Sequence, residues 1–175
     1  PTLCSYRQNL ARVAPWQEEI LPELKTTAEP ENQLVFYVAE SAFYLLPQVR
    51  KTWAPVGQTP ILTEGCQYTH LSVISAISPR GDIYYQIQES SYTGSAVTQF
   101  IRDLLGLTSH QLHIIWDGAS IHRSQEVKDF LRTENQDGRV QLTLLPASSP
   151  QLNAVEQVWA WLQGGELKKV GCKTL

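Results

Sequence analysis

The chain contains no methionine, and only three of its 175 residues are cysteine: Cys4, Cys66 and Cys172. Three thiols so widely spaced exclude a disulfide-stapled scaffold, and the odd count fits a reducing compartment. Charge is also sparse. Only 18% of residues are charged, 14 basic against 17 acidic, for a net charge of −3. Soluble domains average about 25%. A dedicated nucleic-acid-binding module is usually basic, because Lys and Arg contacts to phosphate dominate its affinity. The acidic balance therefore counts against tight, autonomous DNA binding. It leaves open an enzyme to which another domain delivers nucleic acid. No apolar run approaches the roughly 18 residues of a membrane span, and no basic-then-apolar leader is visible, so no membrane partner is expected. The first residue is Pro1, which reads as the start of a trimmed or excised piece.

What the sequence does have is core. Hydrophobic residues make up 42%, with five Trp and seven Tyr. This excludes an intrinsically disordered chain, and the length sets a single domain over 1–175. Apolar spacing predicts a helix over Pro15–Thr27, within a helical lead-in of about residues 1–30, although Pro22 interrupts it. Leu34–Val38 reads as a buried strand, continued by Ala42–Leu46 after a turn or bulge. Lys51–Pro60 is a loop. Gln67–Ile77 and Asp82–Ile87 form a hairpin around Ser78-Pro79-Arg80-Gly81. Thr93–Leu105 is a helix capped by Thr93 or Ser95. Leu112–Trp116 is a strand buried on both faces. Ser124–Arg132 is a helix with Ser124 at its N-cap, Val140–Leu145 a strand, and Asn153 to about Gln163 a last helix, ended by Gly164-Gly165. The tail, about 164–175, is polar and expected to be mobile. Three strands as a meander, then alternating helices and strands, imply an α/β fold: a mixed sheet with helices on its faces.

Two carboxylates stand where chemistry is commonly placed. Asp117 follows the apolar strand Leu112–Trp116, and ligands of open α/β sheets bind beyond the carboxyl ends of strands. The structural alternative is an Asp that closes its own turn. Glu156 lies three residues after Asn153, near the start of the last helix. There it is either a capping-box partner or a carboxylate held towards Asp117. Two such groups would suit Mg²⁺ or Mn²⁺, which take oxygen ligands and keep several waters. A zinc set of Cys66, His70, His110 and His113 has only loosely suitable spacing. The run Gly118–His122 lacks the glycine that a nucleophile elbow needs at its fifth position.

Four stretches, in order, resemble the catalytic domain of DDE-type transposases, the mariner superfamily and its bacterial insertion-sequence branch. They are Phe36–Phe43 (FYVAESAF), Thr52–Pro60 (TWAPVGQTP), Trp116–Ser124 (WDGASIHRS) and Leu145–Trp161 (LPASSPQLNAVEQVWAW). The resemblance implies a ribonuclease H-like fold, a five-stranded mixed sheet flanked by helices. It implies metal-dependent DNA strand cleavage and strand transfer in DNA transposition, with two Mg²⁺ or Mn²⁺ ions in an intact site. The second catalytic acid falls on Asp117 and the last on Glu156, which would be the metal ligands. The first falls on Ala39, which has no carboxylate. Glu40 is next to it, but its side chain should point to the opposite face of the strand unless a bulge re-aims it. Glu40, His122 and Asn153 are supporting candidates, with His122 orienting the metal site or contacting phosphate. Arg123 and Trp53 are DNA-contact candidates. Gly118, Gln151 and Ala154 also depart from the family pattern.

The resemblance further implies DNA partners (transposon ends and target), a homodimer, a bacterial cytoplasmic location, and a sequence-reading helix-turn-helix region that nothing in this chain resembles. Two readings follow. One is a transposase catalytic domain impaired at position 39, and the other a catalytically dead, transposase-derived DNA-binding or dimerisation module. A ribonuclease H-like nuclease acting on RNA–DNA hybrids is a third.

Overall fold

The computed structural model describes residues 8–23, 33–44, 54–58 and 70–164. Strand β1 (Gln33–Tyr44) is the centre of the sheet. It pairs antiparallel with β2 (His70–Ile77), and β2 pairs antiparallel with β3 (Ile83–Gln88). On its other side β1 runs parallel to β4 (Gln111–Trp116), which runs parallel to β5 (Val140–Leu144). The order β3-β2-β1-β4-β5 is the expected five-stranded mixed sheet, with the first three strands as a meander.

Strand β1 differs from expectation. Its pairing with β2 runs without interruption from Tyr37↔Ile77 to Tyr44↔His70, so no turn or bulge separates Val38 from Ala42. The run is apolar or β-prone almost throughout, and Glu40 interrupts the composition without interrupting the ladder. Alternation therefore holds across the key positions. Phe36 and Val38 face a core shared with Ile114 and Trp116. Ala39 faces the other side, packed with Val73, Ile77, Val155 and Trp159.

The first of those faces is covered by α2 (Gly94–Gly106) and α3 (Gln125–Thr133). Thr93, not Ser95, caps α2 by accepting from the Ala96 N–H, and Ser124 caps α3 by accepting from Val127. The two helix starts approach so closely that a Cβ on Gly94 would fall on the Ser124 hydroxyl. The opposite face is covered by α1 and by α4 (Ala154–Gly164). Helix α1 spans Leu10–Pro15 and widens into a π-helical turn over Trp16–Ile20. It starts five residues before the expected Pro15. Asn9 caps it, accepting from the Ala11 N–H at 3.1 Å. Pro15 sits inside the helix, not at its first position. Having no N–H, it cannot bond back to Ala11, and the helix changes its winding there. Trp16 seals this side against Val35, Ile115 and Leu145. The helix continues through residues 21–23, while residues 24–27 of the expected helix, Leu45 and Leu46, the start of the Gln67 strand and the 165–175 tail lie outside the described residues. Among the described residues, no helix is long and apolar enough to cross a membrane.

Candidate active site

Strand β4 is buried to its last residue, Trp116, and the chain leaves the sheet at Asp117. Asp117 Oδ1 accepts from the Ala119 N–H at 2.9 Å, so the turn-closing role is real. It does not use up the group, since the side chain remains 60% exposed. The turn-closing reading of Asp117 is borne out, and the exposed edge of its carboxylate stays accessible.

Beneath it lies His122, brought back by a short 3₁₀ turn over Ile121–Arg123. Its Nδ1 is 3.0 Å from the Asp117 carbonyl oxygen and 3.0 Å from Asp117 Oδ1. Its Nε2 is 2.9 and 3.1 Å from the two oxygens of Glu40. Both ring nitrogens face oxygens that accept, an arrangement that an imidazolium with two N–H donors satisfies. It stacks on Trp116 at 4.3 Å and 5°, an arrangement that favours a cation. Burial alone would lower the His122 pKa. The hydrogen bonds to Asp117 and Glu40, and the charge of Glu40, outweigh it and push the value up to about 10. The His122 bond in turn holds the Asp117 carboxyl below its usual range. The His122 side chain is fully buried, with its ring held between Asp117 and Glu40.

Glu156 is on the first turn of α4, half-buried. Burial raises its pKa, followed by the negative charges of Asp117 and then Glu40. These three acids therefore feel one another. The capping-box alternative for Glu156 fails: the Asn153 N–H donates to the Pro150 carbonyl, not to the Glu156 carboxylate. Asn153 does more than cap. Its Oδ1 accepts from the Val155 N–H at 3.1 Å, and its Nδ2 donates to the Val38 carbonyl at 3.0 Å, 115 residues away. One buried amide thus fixes the start of α4 to β1, beside position 39. Asn153→Ala removes the cap and leaves the buried Val38 carbonyl unpaired, an expected loss of about 2 kcal/mol. Asn153→Asp keeps the cap but not the donor. Urea unfolding should place both variants well below the parent, and an Asp variant as stable as the parent would show that the Val38 bond contributes nothing.

Asp117, Glu156, Asn153 and Arg123 line one open pocket of about 570 Å³, closed on one side by the loop Leu145–Pro150. Two features of this loop have no local sequence signal. Ser148 adopts a left-handed backbone, φ 56°, and Ser149 receives a hydrogen bond from Gln8 at 3.1 Å, which ties the lead-in to the pocket rim. Glu40 is where strand alternation puts it, on the face opposite Ala39, with its carboxylate engaged by His122. Trp53 lies outside the described residues.

The zinc set is not assembled. His70 packs against Tyr44 at 5.3 Å, His110 bonds Thr108 at 2.7 Å and His113 bonds Thr143 at 2.7 Å, each separately, while Cys66 lies outside the described residues. Among the described residues, no three acid, histidine or cysteine groups converge as a metal cage. Two carboxylates facing one pocket still suit a single hard divalent ion, which commonly takes one or two carboxylates plus water and phosphate oxygens.

Residues 34–172 match the family model described as DDE superfamily endonuclease. No curated protein matches. Among solved structures, the Mos1 mariner paired-end complex with Mn is similar, with a TM-score of 0.71 at 16% identity, covering 99% of this chain and 54% of that one. The Mos1 strand transfer complex gives 0.68 at 16%, covering 99% and 53%. The catalytic domain of Mos1 mariner transposase gives 0.65 at 15%, covering 99% and 78%. The chain thus spans about half the length of the Mos1 chains in the complexes. At this identity the likeness establishes the ribonuclease H-like fold.

Proposed function

Because the chain belongs to the DDE superfamily endonuclease family, we propose that residues 1–175 are the single catalytic domain of a mariner-like DNA transposase, of the bacterial insertion-sequence branch, whose first acid is missing. The observation that carries this reading is the shared pocket of Asp117 and Glu156, with Ala39 on the same side of the sheet. Asp117 and Glu156 would hold Mg²⁺ or Mn²⁺, which when bound activates an attacking water and stabilises the leaving oxygen. The chain's own residues do the rest. His122 fixes Asp117 from below and leaves its exposed edge to the pocket. Asn153 fixes Glu156 by anchoring α4. Arg123, on the pocket wall, is placed to receive a DNA phosphate. The reaction is in-line attack of water, then of a 3′-hydroxyl, on a DNA phosphodiester.

The partners are transposon ends and target DNA. Sequence reading falls to a separate helix-turn-helix region, and the setting is the bacterial cytoplasm. With a methyl at position 39 the domain is impaired. The test is calorimetric titration of the full chain with Mn²⁺. Weak, saturable heat that disappears in Asp117→Asn and in Glu156→Gln supports the reading. No heat, or heat that survives both substitutions, overturns it and favours a metal-independent module, which would bind its partners equally well in chelator.

A further inference from the structure

Buried polar atoms almost always find a hydrogen-bond partner, and one that does not calls for an explanation. Among the described residues, four side-chain atoms are buried without one: Trp16 Nε1, Ser75 Oγ, Arg139 Nε and Trp159 Nε1. Arg139 is otherwise engaged, its Nη2 donating to the Thr108 carbonyl at 2.6 Å. Ser75 and Trp159 belong together, because both lie in the layer around Ala39.

Ser75 is the residue of β2 directly opposite Ala39. Opposed residues of an antiparallel pair share a face, with Cβ atoms about 5 Å apart. Its neighbours on that face of β2, Val73 and Ile77, are apolar and pack with Ala39. Packing alone asks for no hydroxyl there, and Ser75 is 2% exposed. Trp159 covers the same layer from α4, held by Phe43 edge-on at 5.6 Å and 71°. Its indole N–H can only donate. Strand β1 lies between β2 and β4. Ser75 therefore stands on one side of position 39, and the strand that leads to Asp117 on the other.

We propose that Ser75 and Trp159 are positioning residues for a carboxylate at position 39, the hydroxyl and the indole N–H both donating to it, and that they stand idle here because position 39 carries a methyl. The proposal rests on the reading of position 39 as the place of the missing acid. A methyl leaves two buried donors unpaired, and a carboxylate pairs both. Held from the β2 side, that carboxylate keeps an oxygen free towards β4 and the pocket of Asp117 and Glu156.

Urea unfolding of the full chain in chelator tests the proposal. In the parent, Ser75→Ala removes an unpaired hydroxyl, and the midpoint should hold or rise. In Ala39→Asp the same substitution removes a hydrogen bond to a charge, and the unfolding constant should rise about tenfold. Trp159→Phe keeps a ring and deletes the N–H. It leaves a void in both backgrounds, so its cost should be greater by a similar factor in Ala39→Asp than in the parent. A merely structural role moves neither comparison. The Trp159 indole signal in the proton–nitrogen NMR spectrum, identified by its loss in Trp159→Phe, should move downfield in Ala39→Asp. If Ala39→Asp does not fold, Ala39→Asn carries the same comparisons, since its amide oxygen accepts from the same donors. Equal effects of Ser75→Ala in the two backgrounds, or an unmoved indole signal, would overturn the proposal. If Ala39→Asp also binds Mn²⁺ more tightly, the metal reading survives that failure. Unequal effects without any Mn²⁺ binding would keep the two donors and overturn the metal reading instead.

Discussion

Replacing Ala39 with Asp is expected to tighten Mn²⁺ binding at least tenfold, about 1.4 kcal/mol, in a protein that is less stable without the ion. Both effects have one cause. Position 39 is 5% exposed, among Val73, Ile77, Val155 and Trp159. A carboxylate there loses water among these side chains, apolar apart from the Trp159 indole N–H, which costs a few kcal/mol. The parallel register Tyr37↔Ile115, continued two residues, sets position 39 level with Asp117. Val155, against Ala39, immediately precedes Glu156. The new charge thus joins two acids that already repel, and a cation relieves all three. In chelator the variant should melt several degrees below the parent, at about 2–4 °C per kcal/mol for a domain of this size, and Mn²⁺ should restore most of the loss. Ala39→Asn is the control. It brings similar bulk and polarity without charge, so it should lose stability and gain no affinity. Equal Mn²⁺ affinity in parent and Asp variant would show that position 39 does not belong to the metal site. Nicking of DNA by the Asp variant alone would identify the parent as a disabled nuclease.

The legible parts of this fold were those encoded over short distances. Strands β2 to β5 and helices α2 to α4 announced themselves through apolar periodicity, and Thr93, Ser124 and Asn153 through cap chemistry. The start of α1 was hidden because Pro15 resembles a first-turn proline while the true cap, Asn9, precedes a run with only a weak pattern. The continuity of β1 was hidden because Glu40 looks like an interruption. Its partner, His122, is 82 residues away, and no local signal could pair them. The same holds for Asn153 and Val38. Asp117 and Glu156 were legible as individual acids at a strand end and a helix start. What the sequence left open was how each is held. The turn-closing reading of Asp117 turned out to be compatible with a site, and the capping reading of Glu156 did not.

Loss of the His122 ring nitrogens should destabilise the domain by about 3–5 kcal/mol, the usual cost of removing one partner from a buried charge cluster. His122→Phe is the informative variant, since it keeps a ring against Trp116 and deletes both donors. Glu40 and Asp117 then lose their shared cation. The pH dependence distinguishes this from simple packing damage. The His122 pKa is raised from 6.5 to about 10 in the fold, so its contribution is complete below about pH 6.5 and is lost as pH rises through about 10. Across that window the folded chain holds one more proton than the unfolded chain, and stability falls by about 1.4 kcal/mol per unit. The Asp117 pKa is lowered, so its contribution is present above its ordinary value and lost as pH falls through the folded one. The stability difference between parent and His122→Phe, read by urea unfolding, should therefore be largest from about pH 5 to 6.5 and shrink steadily towards pH 10. A constant difference would mean that His122 is neutral and acts only by shape. Mn²⁺ titration of the same variant separates holding from binding. Glu156 is untouched and Asp117 keeps its charge, so a weakened but measurable affinity is expected, because Asp117 is then free to turn away from the pocket that His122 holds it towards.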